Sequence, residues 1–407
     1  MPSASARPTD VLTQIQRHNA GRDPERLALK YRAMRQNAFA FMRGSCHLFV
    51  ALLPQMTAAH TGPAVWACGD LHLENFGSYQ GDNRLAYFDI NDFDESALAP
   101  ASWDLLRLLT SLLVGGDSLA WPQADALARC SHMLDSYAQA LSAGKAFWLE
   151  RESATGQVRQ LLDSLRERKR VDFLNSRTTV KRGVRHLDVD GKRALPASAD
   201  DQAAVLAFMA DFARGQPQPE AWRVLDVARR IAGTGSLGLP RFVILVAGKG
   251  TPDGQRILDL KLAPPSSLLP HLPVVQPPWS SEAERIVAVQ RRMQAMPMAC
   301  LHAVHLAGQP FVLRALQPSE DRLTLSSSAR SPAELDLAAV TLGQLLAWAQ
   351  LRSSGRQGSA NADALIAFGQ STDWRAPLLT AARELARLVE RDAAQFAQAH
   401  DDGHFRV

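Results

Sequence analysis

Along the chain, long stretches of helical periodicity alternate with short apolar runs bounded by turn residues. Between positions 23 and 53, Leu27, Tyr31, Met34, Ala38, Met42 and Leu48 recur at turn-like spacing, which predicts helix. Val65-Trp66-Ala67 and the apolar run 85–88 read as two strands, separated by the turn Gln80-Gly81-Asp82-Asn83. A strong helix is predicted from position 100, with Ser102 as N-cap and Asp104 in the first turn, where the helix dipole favours an acid. Helices over 122–144 and 145–168 follow, then a hairpin over 186–193 about Asp190-Gly191. The mixed stretch 196–219 marks a domain boundary. Beyond it the pattern gives strands over 224–228, 241–246, 256–262 and 311–316. It gives helices over 280–293, 333–352 and about 376–399. The reading is an α+β chain with a loose polar N-terminus over 1–22. The units are 23–195 (helical), 220–318 (β-rich) and 330–407 (helical).

Composition narrows the class. With 407 residues, 46% hydrophobic and 21% charged, the chain is expected to be an ordinary globular protein with a sizeable core. A net charge of +4 favours an anionic ligand and is too small to argue for nucleic acid. Cys46, Cys68, Cys130 and Cys300 lie far apart without CxxC spacing, so neither a zinc site nor a disulfide framework is expected. MPSASARPTD has no apolar segment of the kind a secretory signal needs, and no run approaches the ~20 apolar residues that span a bilayer. A cytoplasmic protein without membrane contact is the expectation.

Candidate chemistry lies in two regions. Seven acids fall between Asp70 and Glu95, six of them in Cys68-Gly-Asp-Leu-His-Leu-Glu-Asn-Phe-Gly77 and Leu85-Ala-Tyr-Phe-Asp-Ile-Asn-Asp-Phe-Asp-Glu95, several of them interrupting buried-looking runs. Strand ends that deliver Asp70, Asn75, Asp89 and Asp92 to one spot are costly unless a hard cation joins them, which suggests a Mg²⁺-dependent phosphate site. The second region is Gly233-Thr-Gly-Ser-Leu-Gly238, followed by a β-rich run where a dinucleotide fold would place a helix. A glycine loop between antiparallel strands can lay its N–H groups on phosphates. Lys261 sits inside an apolar strand, where an unpaired ammonium is expensive; it either faces outward or has a partner. Glu282 and Glu284 serve their helix dipole or pair with Lys261. Arg43 is a solvated helix end or a cation beside the acids. Asp104 is a helix-start residue or holds the acidic loop, and His72 is a loop hydrogen bonder before it is a base. Eight Lys or Arg between Arg166 and Arg185 form a solvated face or a lure for an anionic substrate.

The blocks FMRG, CGDLHLENFG, YFDINDFDE and WDLLRLLTS, with the later GTGSLG and its strand lysine, resemble the DUF2252 family of uncharacterised proteins, over about residues 25–395. The Asp70-x₄-Asn75 spacing, with an acid one hairpin later, is also similar to aminoglycoside and small-molecule phosphotransferases of the protein-kinase-like fold. In that fold the glycine loop, strand Lys and helix Glu precede the catalytic Asp; here Asp70 comes first. The resemblance therefore implies a two-lobe kinase-like fold in circularly permuted order, using ATP and Mg²⁺. It implies Asp70 as base, and Asn75 with Asp89 as metal ligands, with Asp92 as a second candidate. Gly233, Gly235, Ser236 and Gly238 would lie over the phosphates, Lys261 would be paired with Glu284, and 317–321 would form the hinge. The chain departs from the family pattern at Leu262, where an acid is usual, and at Ala349-Gln-Leu-Arg352, where a His is common. The acceptor is a small-molecule or protein hydroxyl. A non-catalytic nucleotide binder, a metal-dependent phosphoesterase and nucleotidyl transfer are the alternatives.

Overall fold

The computed structural model describes residues 10–406 apart from 251–252, 318–320, 324 and 326–327. The architecture is mixed α and β, and its two parts meet along one cleft.

The helical body is built on Ser102–Ser118, Gln123–Ser142, Pro332–Arg352 and Arg375–Asp401, which pack on one another. Their apolar stripes enclose a large core that includes Trp66, Trp103, Tyr137, Leu345, Leu385 and Phe396. The segment 23–53 forms three short helices, Pro24–Met34, Ala38–Gly44 and Cys46–Val50. The N-terminal stretch is not uniformly loose. Asp10 accepts a hydrogen bond from the Thr13 N–H and starts a helix, Val11–His18, which buries Val11 and Ile15. Residues 1–9 of that stretch lie outside the described residues.

The second part is a six-stranded antiparallel sheet. Its spatial order is His302–Leu306, Gln309–Ala315, Arg256–Leu262, Arg241–Val246, Val224–Arg230 and Ala194–Pro196. The helix Ala199–Arg214, inside the expected boundary region, presses Val205 and Met209 onto one face, against Val227, Ile244, Leu260 and Leu313. Strand alternation sends Arg241, Asp259, Lys261 and Arg314 to the other face, because Arg241 registers with Lys261 and Asp259 with Arg314.

Two local expectations change. The hairpin joins Thr178–Lys181 to Val184–Leu187 through Arg182 and Gly183, both at positive φ (51° and 78°), as a tight two-residue turn requires. Asp190-Gly191 turns the chain toward Ala194–Pro196 instead, with the Asp190 carboxylate accepting the N–H groups of Lys192 and Arg193. The stretch 145–168 is a short strand, Leu149–Glu150, paired to Tyr87 and Phe88, followed by the helix Gly156–Glu167. Between them the chain must turn, and Gly156 takes the positive φ of 54°.

Candidate functional site

The acidic region is held from behind. Ala64–Ala67 pairs antiparallel with Ala97–Pro100 and carries the chain into Cys68-Gly69-Asp70. Asp104, fully buried at the start of its helix, accepts the N–H groups of Cys68 and Gly69, both at 2.9 Å. It therefore holds the loop, and burial pushes its carboxyl up to about 6. Gly69 has φ +87°, and a Cβ there would lie 2.3 Å from the Glu95 carbonyl oxygen, so no other residue fits.

Asp70 receives Arg107 through Nε at 2.9 Å and Nη2 at 2.5 Å. Burial raises the Asp70 carboxyl above its ordinary range, and Arg107 pulls it partly back. Arg107 also donates to the Met42 carbonyl at 2.7 Å and lies over the Phe49 ring. The Asn75 amide donates to the Asp70 carbonyl at 2.5 Å. His72 accepts from the Glu74 N–H at 3.2 Å, and burial with the nearby Arg43, Arg107 and Arg322 keeps its ring neutral. That is the loop-bracing role.

Asp70, Asn75, Asp92, Asp94 and Glu95 line a cavity of about 370 Å³, and Gly233, Gly235, Ser236 and Gly238 line the same cavity. Two segments far apart in sequence thus share one space. The glycine loop is turned back on itself (Ser236 N–H to Gly233 O, Leu239 N–H to Ser236 O, both 3.1 Å) with Gly233 and Gly238 at φ +73° and +88°. A clamp the sequence did not suggest pins it from outside. Arg22 donates to the carbonyls of Gly235 (2.7 Å) and Leu237 (2.9 Å), Lys30 to Gly235 (3.1 Å), and the Asp23 N–H to Gly238 (2.9 Å). Burial drags the Lys30 ammonium well below its ordinary pKa; Asn19 Oδ1, at 2.8 Å, is its other partner.

Lys261 is 5% exposed and pairs with Asp94. Burial opposes ionisation of the neighbouring Asp92, but Lys261, Arg314 and Arg241 outweigh it and hold the carboxyl below its ordinary range. On the same sheet face Arg230, Arg241 and Arg314 converge on Asp259, whose side chain is wholly buried.

Two expected assignments are corrected. Asp89 does not line the cavity: it is 1% exposed, its Oδ1 accepts the Ile90 N–H, and its Oδ2 receives Arg352 at 2.6 Å and the Ala295 N–H at 3.2 Å. The departure at Arg352 supplies its partner. Glu284 does not pair with Lys261. It bends back to the Ser280 N–H at 2.8 Å and serves its own helix start, while Glu282 holds Arg285 at 2.6 Å. That helix instead sends Arg285 to the carbonyls of Asp94 and Ser96, bracing the acidic loop. Of the hinge, 318–320 lie outside the described residues; Gln317 lines a separate cavity of about 70 Å³, and Asp321 binds Arg168 at 2.7 Å.

At least three of the eight cations in the basic run 166–185 are engaged in structure. Arg168 pairs with Asp321, Arg170 donates to Gly254 and Gln255 carbonyls, and Arg185 binds Asn175 and Thr178. Among the described residues no group of three or more His, Cys, Asp or Glu is placed to hold a metal ion, and no helix is long and apolar enough to cross a membrane.

Fold and site together define an α+β protein with a glycine loop and an acidic loop lining one cavity. The family model for DUF2252, uncharacterised proteins conserved in bacteria, matches residues 22–399, and the chain belongs to that family. No curated protein and no solved structure matches it.

Proposed function

We propose that this protein is a Mg²⁺-dependent, ATP-using phosphotransferase of the protein-kinase-like kind, with its lobes in circularly shifted order, acting on a hydroxyl acceptor. The observation that carries this reading is the shared cavity, lined by the 233–238 loop together with Asp70, Asn75 and Asp92. Phosphoryl transfer needs positioning and charge neutralisation more than covalent chemistry, and this cavity offers both. In support, a strand, the glycine loop, a return strand and a strand bearing Lys261 follow one another in the sheet, and the long helix Pro332–Arg352 comes after them.

The donor set fits the metal. Mg²⁺ is held through one or two protein groups plus substrate phosphates and water, so Asp92, kept ionised, and Asn75 suffice without a second carboxylate. Held by Asp92 and Asn75, the ion would supply charge neutralisation for the substrate phosphates. The chain's own residues do the rest. Lys261, fixed by Asp94, presents its charge beside Asp92. Arg22 and Lys30 hold the glycine loop closed over the phosphate position. Asp70 accepts the acceptor's hydroxyl proton while Arg107 holds its carboxylate in place.

Calorimetric titration with ATP tests this. Binding is expected to need Mg²⁺, to be lost in Lys261→Ala and Asp92→Ala, and to persist in Asp70→Ala while transfer is abolished. Absence of a response to any nucleotide with Mg²⁺ or Mn²⁺ overturns the reading.

A further inference from the structure

The acceptor side of the cavity carries an arrangement that the phosphotransferase reading does not use. Arg43, at the end of the helix Ala38–Gly44, and Arg322 both line the cavity next to Asp70, His72 and Asn75. Both reach the same oxygen of one carboxylate, Glu74 Oε2, each at 2.8 Å. Two guanidiniums share one negative charge, so the trio carries a net positive charge on the cavity wall. His72 adds nothing to it, being held neutral, and Arg107 is committed to Asp70. The Arg43 side chain is 18% exposed, and its Nε–H is buried with no hydrogen-bond acceptor among the described residues. A guanidinium offers several donors in a fixed fork, so an arginine that shares its carboxylate with a second arginine can take a further planar anion. Burial and the repulsion from Arg322 both lower its pKa, and a second anion between the two would relieve that strain in charge.

We propose that Arg43 and Arg322 seat an anionic group, phosphate or carboxylate, of the acceptor, so that the substrate is a small hydroxyl compound bearing a negative charge. This rests on the phosphotransferase reading and names its substrate class. With the anion on the arginine pair, the acceptor's hydroxyl falls to Asp70, which takes the proton. The hydroxyl oxygen forms the new bond to the γ-phosphorus as the bond to the β-phosphate oxygen breaks, and ADP leaves with the electron pair. A polycationic acceptor is disfavoured by the same charges.

The test uses the full chain in saturating Mg²⁺ and a non-hydrolysable ATP analogue, with calorimetry as the readout. Two matched sets are titrated: glycerol, glycerate and glycerol 3-phosphate; and glucose, glucuronate and glucose 6-phosphate. In at least one set the charged members are expected to bind ten-fold or more tighter than the neutral one, and the ratio between carboxylate and phosphate members says which anion the pair prefers. Arg322→Gln and Arg43→Gln are each expected to cut that preference about ten-fold while leaving affinity for the nucleotide analogue unchanged; Arg43→Lys restores part of it. Arg322, a third exposed, carries the test if the Arg43 variant does not fold. The inference is overturned if the analogue binds but no charged member is preferred, or if the preference survives Arg322→Gln. Failure of the analogue itself to bind overturns the phosphotransferase reading instead. In that case inorganic phosphate, titrated into the free protein and its Arg322→Gln variant, reads the arginine pair alone; equal binding by the two overturns the inference as well.

Discussion

Asp89 and Asp92 are three residues apart, and the fold gives them opposite jobs, so substituting each should break a different property. Asp89→Ala removes a carboxylate that is 1% exposed and leaves the Arg352 guanidinium, 13% exposed, without its charge partner. Breaking a buried pair by deleting one member costs about 3–5 kcal/mol. Arg352 keeps two carbonyl acceptors, Met293 and Phe147, each at 2.7 Å, which holds the loss to the lower end, about 3 kcal/mol. For a chain of this length unfolding as one unit at ~2 cal/mol/K per residue, that is a fall in Tm of ~3–4 °C. The double variant Asp89→Ala, Arg352→Leu should cost less than Asp89→Ala alone, because no buried charge is then stranded. Asp92→Ala acts at the cavity wall, where Lys261 retains Asp94, so its stability cost is ~1 kcal/mol. Its expected effect is on Mg²⁺-dependent nucleotide affinity, which should fall at least ten-fold while Asp89→Ala leaves it unchanged. Thermal denaturation and calorimetry on the same preparations read both quantities. An Asp89→Ala protein with an unaltered Tm and no nucleotide binding would refute the reasoning and return Asp89 to the cavity.

Other outcomes follow from the loop contacts. Arg22→Ala should release the carbonyls of Gly235 and Leu237 and weaken nucleotide binding about ten-fold, roughly 1.4 kcal/mol, by calorimetry; Arg22→Lys should recover part of it. Asp104 has a folded-state pKa of about 6 against an ordinary 3.8, so the folded state binds this proton more tightly than the unfolded one. Its contribution to stability is complete below pH 3.8 and is lost as pH rises through about 6, ~3 kcal/mol at most; urea denaturation of Asp104→Asn should lack that slope. Because Arg107 lowers the Asp70 pKa, Arg107→Met should move the acid limb of kcat/KM to higher pH.

Much of the site was legible because it rests on local chemistry. Positions 233 and 238 need glycine for their positive φ, Gly69 is fixed by the nearby Glu95 carbonyl, and Asp70 and Asn75 are five residues apart on one loop. An acid cluster inside apolar runs and a lysine inside an apolar strand both announce buried partners whatever the fold. Who those partners are was not legible. Period-two alternation cannot say which face of the strand Ala86–Ile90 meets the cleft when both sides are buried, so Asp89 and Asp92 looked alike. Only packing against Arg352 separated them. The two glutamates at 282 and 284 carried the signal of a helix start, and the helix used them so, leaving Arg285 to brace the acidic loop. Arg107 and Lys30 sit in ordinary helical patterns and Arg22 in a short turn between helices, and their targets lie 37, 205 and 213 residues away.

Taken alone, the sequence determined most of the long helices and the central sheet strands, the turn glycines and the two candidate loops, since these depend on periodicity, backbone conformation and the cost of burying charge near its own neighbours. The tertiary structure decided that the loops share one cavity, that Lys261 meets Asp94, and that Arg43 and Arg322 meet on Glu74. Ion pairs between distant segments form wherever packing brings desolvated charges together, and no local pattern encodes that meeting.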